Sequence, residues 1–327
     1  MKNKKIIGLA AAFVVVAAAV LTVIIGNRYM TSKEPEDMTG ETIVTTESTF
    51  ERHITYNGTS YTYNPNLKIC LFLGVDTTGE VNIEEHPGAA GQADSIILFV
   101  MNTETEETTM LQISRNTMVD VDVYGYDGKK IYEAKAQLAL QYGYGDGKTR
   151  SSWLMKQRVS ELLDGIPIDS SLAMNIDGIT VATDLIGGVT LTIPEDYTDI
   201  DPSFEKGATV TLQGEQAERY VRYRDITETG SNEGRMERQT QFIQALFSQM
   251  KQEGGRSTSF YQTVLDALED HITTDLSAED LKALSEYDLT ATETVPGGDQ
   301  EGNLHDEFYV DEDALEQLIV ELFYLPD

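Results

Sequence analysis

The amino-acid sequence predicts an α/β protein, an α-β-α layered domain with a mixed central sheet, preceded by one N-terminal transmembrane helix. Three observations predict it. Short apolar or alternating runs bounded by turn residues recur along the chain, capped helical stretches lie between them, and a 20-residue uncharged segment stands near the N-terminus.

That segment, Ile6 to Ile25, is almost wholly apolar and measures about 30 Å as a helix, enough to cross a bilayer. A cleaved signal peptide has a shorter apolar region of about 7–15 residues, followed by a small-residue cleavage site. Here GNRYMTSKEPEDM follows without such a site, so the segment reads as an uncleaved anchor. Lys2, Lys4 and Lys5 precede it and Arg28 and Lys33 follow, a small positive-inside bias that places the C-terminal bulk on the extracytoplasmic side. Residues 1–33 are thus cytoplasmic tail and anchor. Residues 34–64 begin as an acidic, Thr-rich stalk and end in a hairpin, Ile54–Tyr63, whose two alternating runs flank Asn57-Gly58.

The next stretch, 65–255, carries the sheet. Lys68–Val75, Ser95–Met101, Thr108–Ser114, Leu172–Ile176 and Val189–Ile193 are its strand candidates, and their near-continuous apolar character predicts a sheet covered on both faces. Trp153–Asp164, with Ser152 as cap and Gly165 as stop, reads as a helix. So does Gly178–Ile186, between Asp177 and Gly187-Gly188. Met236–Lys251 places Ile243, Leu246, Phe247 and Met250 on one apolar stripe that must pack on something. Residues 256–327 read as a helical extension, with helices at Thr258–His271, from Ser277 with Asp280 closing a capping box, and from Asp311 through Phe323.

Composition bounds function. With 55 acidic and 24 basic residues the formal charge is −31, which argues against nucleic acid as a partner, because such binding needs basic surface. The one cysteine, Cys70, excludes an intramolecular disulfide. His53, His86, His271 and His305 lack zinc-ligand spacing, so a metal would have to sit on oxygen.

Against this acidity, Arg219, Arg222, Arg224, Arg235 and Arg238 fall within 20 residues. Two readings stand: they neutralise nearby carboxylates, or they form an anion site, since guanidinium forks bind phosphate bidentately. Arg222 and Arg224 would point to one side if that stretch is extended, Arg235 and Arg238 share a helix face, and Arg115 ends a strand and can join them. The second feature is a pair of aspartates, Asp76 just after one apolar run and Asp94 just before another. Antiparallel pairing of those runs brings both to one edge, where they would hold Mg²⁺ or Mn²⁺ against a phosphate. The plainer reading makes each a turn or cap residue.

The ordered blocks LFLGVD, ADSIILFVMN, LQISRNTMV, LLDGIPID, LIGGVTLTIP, GEQAERYVRYR and GRMERQTQFIQAL resemble the LytR-CpsA-Psr family, from about Lys68 to Ala245. The resemblance implies a membrane-anchored enzyme of mainly Gram-positive bacteria that moves a glycan, such as wall teichoic acid or capsule, from a polyprenyl diphosphate carrier to peptidoglycan through a phosphodiester. It implies a mixed sheet between helices and a long apolar groove for the lipid tail. Asp76 and Asp94 match the family's metal-associated aspartates, with Asp94 also among the catalytic set. Arg115, Arg222 and Arg224 match its diphosphate-contacting arginines, and Arg235, Arg238 and Gln239 match its G-R-x-x-R-Q block.

The chain departs from the pattern in several places. Gln92-Ala93-Asp94-Ser95 stands where members commonly have R-x-D-S/T, and Ser114-Arg115-Asn116-Thr117 where they have P-R-D-T. Thr77-Thr78 replaces an arginine often found after the first aspartate, and Lys135-Ala136-Gln137 is a faint K-x-N. Gln92 and Asn116 thereby replace groups that the resemblance sets beside the reacting diphosphate. The leading expectation is phosphotransfer. The alternative is a binding or accessory protein of the cell envelope that keeps the groove with weakened chemistry. Transcriptional regulation is opposed by both span and charge.

Overall fold

A computed structural model describes residues 50–223, 231–254, 257–302 and 305–327. The expected anchor and stalk lie outside these residues. Among the described residues no helix is long and apolar enough to cross a membrane.

The core is a six-stranded mixed sheet built from β3 (Leu67–Val75), β4 (Ala93–Asn102), β5 (Glu107–Ile113), β8 (Ser170–Asn175), β11 (Ile272–Thr274) and β12 (Asp288–Thr294), in the order β11-β8-β3-β4-β5-β12. β4 runs antiparallel to both β3 and β5, whereas β8 is parallel to β3 and β12 parallel to β5. The alternation of side chains divides the strands between two apolar layers. Ile69, Leu71 and Leu73 of β3 with Ile96, Leu98 and Val100 of β4 face one layer, under α2 (Thr149–Leu162) and α8 (Glu312–Phe323). Phe72 of β3 and Ile97 and Phe99 of β4 face the other, where α5 (Ser231–Gly254) lays down Phe242, Ile243 and Leu246. The α-β-α order and the mixed sheet are as expected, and the apolar stripe on α5 meets the sheet.

Helix starts differ from expectation for local reasons. α2 begins three residues before Ser152, because the Asp146 carboxylate already accepts N–H groups from Lys148, Arg150 and Ser151 at 2.8, 3.0 and 3.2 Å. α3 (Ile176–Leu185) is capped by Asn175, whose side chain accepts from the Gly178 N–H at 3.0 Å. Asp177 instead accepts from the Gly79 N–H at 2.7 Å and ties down the loop after β3.

The larger difference is in the tail. Its helices α6 (Thr258–Leu268), α7 (Ala278–Glu286) and α8 fall as expected, and Ser277 with Asp280 forms the capping box. Residues 256–327 also supply strands, however. β11 and β12 are the two edges of the central sheet. β13 (Gly297–Glu301) pairs with β14 (Asp306–Val310), and β15 (Tyr324–Pro326) adds to the hairpin of β1 (His53–Tyr56) and β2 (Thr59–Tyr63). A stretch read as a helical extension is woven into the fold. Two further antiparallel pairs stand outside the central sheet. One is β6 (Met118–Tyr124) with β7 (Lys130–Gln137), which the strand candidates omit although MVDVDVY alternates apolar and acidic residues. The other is β9 (Val189–Thr192) with β10 (Thr209–Leu212), so the candidate at Val189–Ile193 is a strand but not one of the central sheet.

A chain ended after Tyr287 loses an edge strand, β14 and the fully buried Phe323. Differential scanning calorimetry should find no cooperative transition in it. A sharp endotherm near that of the full protein would show the tail to be an appendage.

Candidate functional site

The site forms at one edge of the sheet. β3 and β8 run parallel, so the loop after Val75 and the cap residue Asn175 emerge side by side, and antiparallel β4 enters at the same edge. There the β3-β4 register shifts. Gly74 pairs with Ser95 and Val75 with Ala93, which leaves Asp94 as the extra residue of a bulge. Bulges re-aim side chains. Consecutive residues Asp94 and Ser95 therefore both line one cavity, together with Asp76. Gly74 eases the pairing opposite, since a Cβ there would meet the Ser95 Cβ at 3.0 Å, tighter than ordinary contact.

This cavity, ≈170 Å³, has both charged and apolar walls. Asp76, Asp94, Ser95, Asn175, Arg222, Arg235 and Gln239 line it beside Phe72, Ile243, Leu246 and Phe247. Phe72 and Phe247 also wall a larger cavity of ≈570 Å³, whose lining includes Cys70, Phe99, Met101, Leu172, Leu281 and Leu284. The charged cavity and the larger, mainly apolar one thus share two phenylalanines as walls.

The carboxylates are held differently. Asp76 exchanges hydrogen bonds with the Gln92 backbone, its N–H donating to the Gln92 carbonyl at 3.1 Å and its Oδ1 accepting the Gln92 N–H at 2.6 Å. Gly91 makes this approach possible. Its φ is +81° and a Cβ would sit 2.7 Å from Asp76 Oδ1. Asp94 accepts Arg115 on Oδ1 and Arg235 on Oδ2, the latter at 3.3 Å. The second Arg115 fork nitrogen donates to Gln92 Oε1.

The arginines sort into separate tasks. Arg222 is the last residue of α4 (Gly214–Arg222), half exposed at the cavity mouth and paired with Glu218. The extended geometry expected for it is corrected: helical hydrogen bonding continues to that residue, and Arg224 lies outside the described residues. Arg115 is brought to the cluster but stands behind Asp94, outside the cavity lining. Arg238 is buried, donates to the Tyr220 carbonyl at 2.9 Å and to that of Tyr223, and stacks on Tyr197 at 5.0 Å. It closes the carbonyl end of α4 rather than facing the cavity. Arg219 pairs with Asp201 at 2.9 Å. Hydrogen bonds from the Ser203 hydroxyl and N–H, then Arg219, pull the Asp201 carboxyl down to about 2. For Arg219 the charge-neutralising reading holds. Gln239 reaches the cavity and donates to the Val221 carbonyl at 3.3 Å.

Asn116 is also relocated. It is 1% exposed, accepts from Gln137 Nε2 at 2.9 Å, and does not line the cavity. Gln137 donates further to the Asp306 carbonyl at 2.8 Å, so this amide pair pins β14 to β7. Ser95 and Asn175 were missed by sequence reasoning. Ser95 follows Asp94 directly and Asn175 ends a strand parallel to β3, and neither residue type advertises itself without the register.

The donor set fits a divalent cation in one way. Among the described residues no three His, Cys, Asp or Glu side chains cluster, so a self-sufficient metal cage is absent there. Asp76 and Asp94 share the cavity, and the buried Ser95 Oγ finds no protein partner among the described residues. Two carboxylates and a hydroxyl match the sparse protein ligation of Mg²⁺, which takes its remaining oxygens from water and phosphate.

A model of the LytR_cpsA_psr family matches residues 30–322. The polyisoprenyl-teichoic acid–peptidoglycan teichoic acid transferase TagU of Enterococcus faecalis is 28% identical over 215 residues, 66% of this chain and 63% of that protein. TagU of Oceanobacillus iheyensis is 31% identical over 214 residues, 65% of this chain and 60% of that protein. The chain therefore matches only about three fifths of the length of these relatives. The crystal structure of Bacillus subtilis TagV superposes with a TM-score of 0.60 at 21% identity, covering 79% of this chain and 96% of that one, so the fold is shared.

Replacing Arg238 with Met takes the side-chain donor from the buried Tyr220 carbonyl and should lower stability by about 1–3 kcal/mol. Thermal melting checks this. Diphosphate affinity of the folded fraction should stay within twofold, and a large loss would return Arg238 to the binding set.

Proposed function

The chain belongs to the LytR-CpsA-Psr family, and on that premise we propose that it transfers a glycan polymer from a polyprenyl diphosphate carrier to peptidoglycan by forming a phosphodiester. The observation that carries this is that the two cavities share Phe72 and Phe247 as walls: a diphosphate suits the one lined by Arg222 and Arg235, and an isoprenoid tail suits the one walled by Phe72, Phe247 and Phe99. The relatives named as teichoic acid transferases support the same reading.

A peptidoglycan hydroxyl attacks the phosphorus joined to the glycan. The new P–O bond forms as the anhydride bond breaks, polyprenyl phosphate leaves, and the proton of the hydroxyl passes to the leaving phosphate or to water. Arg222 and Arg235 neutralise the diphosphate and hold it in line, so positioning and charge supply most of the rate. Asp76 and Asp94, with Ser95, would hold Mg²⁺ or Mn²⁺, which supplies further charge neutralisation at the phosphates. The bulk of the chain works on the extracytoplasmic side, tethered by Ile6–Ile25. The second reading, a binding or accessory protein, is favoured by Gln92 in the place of an arginine and by Arg115 standing behind Asp94.

Full-length protein with polyprenyl diphosphate glycan, peptidoglycan and Mg²⁺ should release polyprenyl phosphate and label the wall polymer. Asp76→Asn should lower turnover about 10²–10³-fold while lipid still binds, and Arg222→Ala should weaken lipid binding in a salt-sensitive way. Saturable lipid binding with no phosphate release in the parent would establish the accessory reading instead.

Cys70 offers a check on the tail. Burial pushes its thiol up to about 11, so at pH 8 it is almost wholly protonated and alkylates slowly, faster as pH rises toward 11. Polyprenyl diphosphate should slow iodoacetamide labelling further, read by mass spectrometry, whereas inorganic diphosphate should not. Equal rates with and without lipid would remove the tail from this cavity.

A further inference from the structure

Asp94 is where the candidate cation site and the arginine cluster collide. Its two oxygens are each engaged by a guanidinium, Oδ1 by Arg115 and Oδ2 by Arg235. The three side chains are largely withdrawn from solvent, with exposures of 28% for Asp94, 15% for Arg115 and 6% for Arg235. Screening by water is weak in such a setting, and a divalent cation arriving at Asp94 would lie beside two fixed positive charges. Asp76 relieves this only in part, since its Oδ1 is taken by the Gln92 N–H and Oδ2 alone remains for the cation.

We propose that Arg115 and Arg235 act as resident counter-ions of Asp94, so that a divalent cation reaches this carboxylate only together with an anionic diphosphate that draws a guanidinium away. Gln92 is the retaining device. Its side-chain oxygen holds the Arg115 fork on the side away from the cavity while its backbone N–H holds Asp76, so one residue sets the resting position of both groups. An arginine at position 92 would repel Arg115 from that position. The neutral glutamine accepts from it. The substitution that marks this chain as a departure from the family pattern thus has a specific consequence: it stabilises the ligand-free pairing and makes cation binding conditional on substrate.

Only the diphosphate reading above supplies an anion to displace the arginines, but the first arm of the test needs no transfer and no glycan. Full-length protein in detergent is titrated with Mn²⁺ alone, and the free hydrated ion is followed by electron paramagnetic resonance. The parent should bind Mn²⁺ weakly. Arg115→Ala and the bulkier Arg115→Gln should each bind at least about tenfold tighter, because one positive neighbour of the carboxylate is gone. Combining either with Asp94→Asn should abolish the gain. Adding farnesyl diphosphate to the parent should tighten Mn²⁺ binding beyond what the free diphosphate achieves in buffer, and should do so less in the Arg115 variants, which start tight.

Mn²⁺ affinity unchanged by both Arg115 substitutions, tight Mn²⁺ binding by the ligand-free parent, or a gain that survives Asp94→Asn would each overturn the proposal. A protein that gives the expected metal titrations but transfers no glycan loses the transferase reading alone. One that transfers glycan while all variants bind Mn²⁺ alike loses this proposal alone.

Discussion

Everything at the site follows from how β3 pairs with β4. The strands are antiparallel, which brings the end of one and the start of the other to the same edge, and the register slips by one residue at Gly74. A regular ladder would have turned Asp94 and Ser95 to opposite faces. The bulge turns both toward the cavity, and β8, parallel to β3, adds Asn175 alongside. The same pairing sets the other face: Ile69, Leu71 and Leu73 fill the layer beneath α2 and α8, so the sheet is anchored on one side and free to shape a hollow on the other.

The hollow exists because the second layer is incomplete. α5 covers Ile97 and packs against β9 (Val189–Thr192), but between α5 and α7 the sheet face of Cys70, Phe72, Phe99 and Met101 meets only a rim. Leaving apolar surface in water costs about 25 cal/mol per Å². A fold that keeps such a surface beside a charged edge is matched to a molecule with a tail and an anionic head. A small anion would leave the phenylalanine wall wet, and a plain hydrocarbon would make no use of the cations Arg222 and Arg235 at the charged edge.

Much of this was legible in the sequence, and the reasons differ by element. β3, β4 and β5 are long and apolar because both faces are covered, so their limits fell within two residues of the observed ones. The capping box at Ser277 was legible because it is a local hydrogen-bond motif. β12 was hidden. Its DLTATET is exposed along nearly its whole length, and an edge strand without a buried face has no period to detect. At the site, the edge shared by Asp76 and Asp94 followed from strand direction alone. The bulge did not, because register is decided between strands. Nor did the fates of Arg115, Arg238 and Asn116, whose side chains turn to partners 21, 18 and 21 residues away.

Those fates revise what charge counting means in this chain. In a protein with so large an acidic excess, five arginines in a short stretch suggest one anion site, yet the described four divide between closing a helix, pairing with a structural aspartate, guarding a cavity mouth and neutralising Asp94. Distance explains the division. At about 8–10 Å of screening length the protein's overall negative field is largely lost to salt, whereas a guanidinium in contact with a carboxylate inside the site is hardly screened. The affinity of the pocket for an anion is therefore set by whichever local carboxylate holds each arginine, and by how readily it lets go. Arg238 is committed to two backbone carbonyls, which no ligand can replace without unravelling the end of α4. Arg235 is committed to a carboxylate at the cavity wall, with Arg115 behind that carboxylate, and a diphosphate in the cavity offers a guanidinium the same kind of oxygen with more charge. The arginines that face a substrate are thus distinguished from the structural ones by the exchangeability of their partners, a property of contacts that composition and spacing do not contain.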